Sequence, residues 1–460
     1  MKNFFVLLTY CVIGFSWQKS IAQQTLSLEQ FLGIVKQYHP VAQQAQIQIS
    51  IAKAESQATR GAFDPAFYIN QNQKEFGGKN YYQYFNTELK VPTWYGIDLK
   101  AGTENNQGYY THNELSTGKS SFVGIQASLG KGLLMDKRRA AVLQAKQMIS
   151  FSEEEKKLML NELLYDASAA FFDWQNAFQQ KQLIDSALAI NQQRYQFIKT
   201  SFLLGDRPAI DTTEALTQLQ NFEFLQAETQ QQLTNSTIAL SNFLWKDQQE
   251  PYQLPNTVFP AELSGLQTIF SFNDYLTDLN EHPKLQQAAV KMKVLEIDKQ
   301  LKFQSILPTA NVQYNILNKG YTFVQQPSFF QNNYKWGFTL GMPLLLREGR
   351  ADFRKAKLKI TQQTWQNSLL QNELQNKLRQ YYNDAIQLQK QAEIYRQNVL
   401  NYQKLYDGEL SKFNNGESSM FLLNSRENKL LEAQQKLALL RTKASKSIVA
   451  IGYATGKLGQ

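Results

Sequence analysis

The sequence predicts an α+β chain, mainly of long helices, built as two internal repeats. Three observations predict it. Motifs recur at a fixed distance: His39-Pro40 returns as His282-Pro283, 243 residues later, and the same shift carries Pro65 onto Pro308. The stretch from Arg139 to Leu204 holds no Pro and no Gly, so nothing in it breaks a helix. Between the helical stretches, apolar residues alternate with small polar ones, the period of a strand.

The first residues read as a secretory signal peptide, 1–22. Lys2 supplies the positive start, Phe4 to Phe15 a short apolar core, and Ser20-Ile21-Ala22 the small residues before a cut at Gln23. That core is too short to span a bilayer as a helix. Cys11 is the single cysteine, and it follows Tyr10, where a lipoprotein cut needs a small residue, so cleavage is expected rather than lipid attachment. The mature chain, 23–460, then has no disulfide or thiolate chemistry. With 43 % apolar residues and a mean hydropathy of −0.44, the full chain of 460 residues is too polar for a helical membrane protein. Its 22 Tyr, 29 Phe and 6 Trp are too many aromatics for disorder. The net charge of +9 is spread among acids along helices, so it reads as solvated faces, and no nucleic acid is expected. A chain exported without a helical span is either soluble beyond the inner membrane or inserted in the outer membrane as strands.

Each repeat reads in the same order. A helix comes first, at about 28–62 and again at about 272–305. Strands follow, then a very long helix at about 137–204 and 348–414. A turn at Gly205 or Gly416 leads into a shorter helix, at about 209–246 and 418–452. From Arg139-Ala140 against Arg350-Ala351 to Gly205 against Gly416 the shift is a constant 211 residues. The first repeat is thus 23–248 and the second 272–460, joined by a linker, 249–271, that carries Pro251, Pro255 and Pro260. At 1.5 Å per residue the long helix is roughly 100 Å, and the shorter ones, ~53 and ~57 Å, together match it. Such helices need lateral partners along their whole length. Leu423, Leu430, Leu437, Ala444 and Ile451 recur every seven residues, a coiled-coil seam.

The strands have one apolar and one polar face. Ala310, Val312, Tyr314 and Ile316 alternate with polar residues, as do Tyr334, Trp336, Phe338, Leu340 and Met342 with Lys335, Gly337, Thr339 and Gly341. Val123, Ile125, Ala127 and Leu129 do the same in the first half. A barrel with lipid outside and water inside requires this pattern, although a half-buried soluble strand shares it. The first half carries 30 extra residues. They include Phe85, Thr87, Leu89 and Val91, then Tyr95, Ile97, Leu99 and Ala101, an added hairpin that either enlarges the barrel or stands outside the membrane. The stretch 104–120 reads as an exposed loop. Two core strands per half make four per chain, too few to enclose water, so several chains must pool them.

In this order and spacing the sequence resembles the TolC-like family of outer-membrane efflux and export channels, over essentially all of the mature chain. The motifs are His39-Pro40 with His282-Pro283, Pro343-Leu344-Leu345 after a strand, and Phe202-Leu203-Leu204-Gly205 with Phe413-Asn414-Asn415-Gly416 at the helix turns. The resemblance implies a homotrimer in the cell outer membrane, with a twelve-stranded barrel shared by three chains. A coiled-coil helical barrel holds most of the mass in the periplasm. It implies a closed periplasmic tip that docks a periplasmic adaptor and an inner-membrane pump of RND or ABC type. The duct is then passive, not an enzyme, with no cofactor. The alternatives are a soluble periplasmic coiled-coil adaptor or scaffold, or a secreted enzyme.

For an enzyme the chain offers little. His39, His112 and His282 are its histidines; two precede Pro at helix starts, where capping is the natural role. No metal spacing, phosphate loop or nucleophile elbow occurs. The candidate functional place is the pair of helix turns. Gly205, Asp206, Gly416 and Glu417 form the turns and the expected adaptor contact, with the acids favouring the next helix start. Asp211 and Glu214, three apart on one helix face, would multiply into acidic rings. The resemblance places gate acids after the second turn, but Leu422 and Ser425 stand there, and Ser418 replaces the expected Arg. The expected gate is therefore Arg207, Asp211 and Glu214 with Arg426. The cargo is not legible.

Overall fold

The computed structural model describes residues 24–112, 115–261, 269–321 and 333–459. The signal segment with Cys11, part of the linker and the loop before Tyr334 lie outside the described residues. In chain order the elements are β1 (Gln24–Leu26), α1 (Leu28–Tyr38), α2 (Pro40–Arg60), β2 (Ala66–Phe76), β3 (Lys79–Pro92), β4 (Ile97–Gln107) and β5 (Gly118–Ser128). Next come α3 (Lys137–Leu203), α4 (Ala209–Ser241), β6 (Val258–Pro260), α5 (Phe272–Leu279) and α6 (Pro283–Gln304). The chain closes with β7 (Thr309–Lys319), β8 (Tyr334–Gly341), α7 (Arg347–Asn414) and α8 (Met420–Thr455). The α+β, long-helix class is as expected, and α3 and α7 are unbroken over 67 and 68 residues.

The first helix of each repeat is not continuous. Pro at the first helical turn bars the residue before it from the α region, so the chain stops and restarts there. His39 (φ −66, ψ 134) and His282 (φ −57, ψ 128) are extended. Each imidazole Nδ1 accepts a hydrogen bond from the backbone N–H two residues on, Val41 at 3.2 Å and Lys284 at 3.1 Å. The capping role expected of both histidines holds. The helix expected to run to 246 ends at Ser241, and the last helix runs on to Thr455.

The chain divides into two compact units. One comprises Lys36–Asp166, Gln267–Glu393 and Lys443–Gln460. It contains a six-stranded antiparallel sheet in the order β2-β3-β4-β5-β7-β8. The four core strands expected per chain and the two of the added hairpin thus make six in one sheet, with the hairpin, β3–β4, lying inside it. The loop expected over 104–120 shrinks accordingly, because β4 runs to Gln107 and β5 begins at Gly118. The hairpin between β2 and β3 turns on Gly77 and Gly78, whose φ values of 60 and 73 suit a two-residue turn that only glycine adopts freely.

The two faces of the sheet differ sharply. Cross-strand registry aligns Phe67, Leu89, Ala101, Val123 and Ile316 in one row, and Leu99, Ile125, Tyr314 and Trp336 in another. The opposite face carries Glu88, Lys90, Asp98 and Lys100, paired as Lys90–Asp98 at 3.1 Å and Lys100–Glu88 at 3.5 Å. The apolar side chains are left bare: Phe67 is 63 % exposed and Trp336 64 %. The helical core of this unit gathers Leu279, Leu374, Leu378, Ala385, Ile451 and Ala454 from α5, α7 and α8. Removing a side chain such as Leu378 from that core would cost about 2–5 kcal/mol.

The other unit comprises Met1–Val35, Ala167–Leu266 and Ile394–Thr442. The described part of the linker, up to Ala261, forms regular structure despite its prolines. β6 pairs in parallel with β1, with Leu26 opposite Pro260, a two-stranded ribbon where Pro sits at a strand end and breaks no ladder. Phe259 packs on Phe178 of α3 at 5.3 Å between ring centroids, and Gln175 Nε2 donates to the Ala261 carbonyl at 2.6 Å. Phe31 of α1 stacks on Phe171 at 5.6 Å.

Candidate functional site: the paired helix turns

Both turns lie in this second unit and are closed alike. Gly205 and Gly416 have φ of 86 and 76, the left-handed conformation that ends a helix. The Asp206 N–H reaches back to the Ser201 carbonyl at 2.9 Å, and the Glu417 N–H to the Lys412 carbonyl at 2.9 Å. Gly205 and Gly416 likewise donate to Phe202 and Phe413, at 3.0 and 3.1 Å. This double closure is the Schellman motif, produced twice 211 residues apart. The acids do not cap the helices that follow. Pro208, extended at ψ 155, precedes α4 without a side-chain cap, and the Ser419 hydroxyl accepts from the Leu422 N–H at 3.3 Å to open α8. Asp206 and Glu417 instead face solvent.

Beneath the turns, α3, α4, α7 and α8 share one apolar core. Ile198, Ala215, Tyr406, Phe413, Met420, Leu423 and Leu430 form it, with Ile184, Leu188, Leu219, Phe222 and Leu431 in a second cluster. The seven-residue seam of α8 is therefore real at Leu423 and Leu430, while Leu437 is only half-buried because Ala438 takes the inward position.

The expected gate residues are distributed over three contacts. The Arg207 guanidinium lies 4.2 Å from the Phe413 ring centroid and 3.3 Å from Asp211 Oδ2, so it ties the first turn to the end of α7. Glu214, on the same helix as Asp211, accepts instead from Asn424 Nδ2 at 3.2 Å. Arg426 Nε stands 3.7 Å from Glu409 Oε2, and the Ser418 hydroxyl donates to the other oxygen of Glu409 at 2.5 Å. Ser418, where an arginine was expected, thus shares a carboxylate with Arg426.

The charged centre of this region was not foreseen. Arg194 of α3 is 8 % exposed and Glu427 of α8 is 6 %. Their contact is bidentate, at 2.7 and 3.0 Å. The same guanidinium donates to Tyr406 Oη at 3.0 Å and to Asn191 Oδ1 at 3.2 Å. Burial, with the Glu427 carboxylate beside it, pushes the Tyr406 phenol above its ordinary range. A buried pair survives only with its hydrogen-bonding valences filled, and here they are. One signal was available in the sequence: Glu427 falls between Leu423 and Leu430 on the apolar stripe, a place where an acid needs a partner.

These features together define a class of fold: paired long-helix hairpins closed by twin glycine turns and joined to an antiparallel sheet with one apolar face, the fold of the TolC-like outer-membrane channels. The individual likenesses extend over nearly the whole chain at low identity. The outer-membrane channel OprN matches with a TM-score of 0.69 and 12 % identity, covering 94 % of this chain and 91 % of its own. The Campylobacter jejuni CmeC outer membrane channel matches at 0.65 and 14 %, covering 94 % and 85 %. The open state of the Neisseria gonorrhoeae MtrE outer membrane channel matches at 0.66 and 14 %, covering 94 % and 89 %. No family profile and no curated protein sequence matches the chain.

Proposed function

We propose that the chain is the outer-membrane channel component of a tripartite efflux pump or type I secretion system, a homotrimeric exit duct with no chemistry of its own. One observation carries the reading: a six-stranded sheet whose bare face is apolar across its width and whose other face is charged. In water the apolar face would drive aggregation. In a bilayer it meets lipid, and the charged face lines water. No helix among the described residues is long and apolar enough to cross a membrane, so strands are the means of insertion. One sheet cannot close on itself around a lumen at this strand number, hence several copies.

The turns are then the periplasmic end. They expose Leu203 (74 %), Ile210 and Phe421, a set of apolar groups suited to capping by a periplasmic adaptor. The adaptor in turn couples the duct to an RND or ABC pump, which supplies the free energy. Arg207, Asp211, Glu214 and Arg426 form the gate, their contacts within one chain holding the four helices in the resting arrangement.

Two measurements test the reading. The mature chain is expected to need detergent for extraction and to run as a trimer that conducts ions in a planar bilayer; a buffer-soluble monomer would return the scaffold reading. Within the channel, Asp211→Asn with Glu214→Gln is expected to alter single-channel conductance and lower cation preference. Unchanged conductance would remove the gate assignment and leave the duct.

A further inference from the structure

We infer that the β3–β4 hairpin is a wall segment of the pore, so that three copies of this six-stranded sheet close an eighteen-stranded barrel. The inference rests on the trimeric duct reading and adds the width of its lipid-embedded part. Diameter grows roughly linearly with strand number, so the barrel would be roughly 1.5-fold wider than one built from four strands per chain.

Topology makes the insertion free of conflict. A hairpin adds one strand in each direction, so β2 and β5 keep their directions and the sheet stays antiparallel throughout. The face phase is also kept. Phe67 opposes Leu89, Leu89 opposes Ala101, and Ala101 opposes Val123, so the apolar row of β2 continues unbroken through the hairpin into β5. On the other face the hairpin carries Glu88, Lys90, Asp98 and Lys100 as two ion pairs, and Arg138 at the start of α3 reaches Asp98 at 3.2 Å. A hairpin standing clear of the membrane has no need of an apolar face in register with its neighbours. One inside the wall needs both faces as they are.

Packing between β4 and β5 points the same way. Gly102 lies opposite Phe122, and a Cβ on Gly102 would fall 2.1 Å from the Thr87 carbonyl oxygen and 2.9 Å from the Phe122 ring. Phe122 is 6 % exposed, its ring laid over the bare glycine. The sheet edges remain. β2 and β8 run in opposite directions, so β8 of one copy meets β2 of the next in the same antiparallel sense as every internal pair. In lipid neither edge can stay unpaired, and a second copy of this chain is the occupant that satisfies both.

Engineered disulfides test the placement, because residues 23–460 contain no cysteine. Ala101→Cys with Val123→Cys joins neighbours on β4 and β5 and is expected to cross-link on oxidation in outer membranes. Phe67→Cys with Val123→Cys is expected to stay reduced, since three strand spacings put the two roughly 14 Å apart, beyond disulfide reach. A disulfide in the second pair would overturn the inference, placing β2 directly against β5 and the hairpin outside. Deleting 78–107 should then join β2 to the loop before β5 without reversing either strand. The trimer's barrel diameter in projection images is expected to fall by about a third; an unchanged diameter would also overturn the inference. If the shortened chain does not assemble, the two cysteine pairs still decide. Absence of any trimer from the intact chain would sink the duct reading instead, while the disulfides report strand order in any oligomer.

Discussion

The two halves of this chain repeat one scaffold and differ in what they hang on it. Gly205 and Gly416 close their turns with the same pair of hydrogen bonds. His39 and His282 cap their helices with the same ring nitrogen. Yet the first half gives four strands to the sheet and the second two. The first turn carries Arg207, Asp211 and Glu214, whose repeat mates are Ser418, Leu422 and Ser425. Backbone closure is copied because one geometry serves both hairpins. Side-chain chemistry diverges where a position contacts the other half, whose surface is not a copy of its own, as Arg194 with Glu427 and Arg207 with Phe413 do.

The largest test of that statement breaks the contact between halves. Arg194→Met or Glu427→Leu alone leaves a buried charge and is expected to destabilise by about 3–5 kcal/mol. The double variant is expected to recover most of the loss, read as thermal unfolding of the helical signal in detergent. Equal losses in the single and double variants would show that the two residues act separately.

The histidine caps give the next. His282 is 3 % exposed, and Gly456 packs so closely that a Cβ there would meet Pro283 Cδ at 2.5 Å. Burial, and then the Lys284 and Lys377 charges, lower its pKa to about 4. The folded value lies below the unfolded one, so the unfolded chain binds the proton first. Stability should therefore fall as pH drops from about 6.5 towards 4, by about 3 kcal/mol at most. His282→Asn, which keeps an acceptor but cannot charge, is expected to flatten this acid limb in a pH series of melting temperatures.

Smaller effects test where the halves agree. Gly205→Ala and Gly416→Ala meet no steric obstacle, so each should cost only the left-handed backbone, roughly 1–2 kcal/mol, and the two costs should match. A large difference between them in melting temperature would mean the turns are not equivalent. Arg207→Ala should cost about 1 kcal/mol, the sum of a half-buried ion pair and a ring contact. Ser418→Ala at the mate position should cost no more than one hydrogen bond, about 1 kcal/mol.

Much of this was written locally. The prolines after His39 and His282, the glycines at 205 and 416, and the Pro-free, Gly-free runs each act on their own few residues, so they could be read from the chain as it stands. Alternation in β5, β7 and β8 was legible for the same reason, since period two is a property of one strand. β2 escaped because Asn70, Gln71, Asn72 and Gln73 dilute its apolar face beyond recognition. The residues expected to form a gate could be named from the turns they follow, but their partners, Phe413, Asn424 and Glu409, lie about 200 residues away in sequence or on the other side of a turn.

The sequence alone determined the repeat, the helix lengths, the turns and the two-faced strands, because each follows from backbone rules acting over a few neighbours. Tertiary structure alone decided that the β3–β4 hairpin enters the sheet and that Arg194 finds Glu427. Those outcomes depend on which distant surfaces fit, such as Phe122 over Gly102, and no local pattern encodes a fit between residues that meet only after folding.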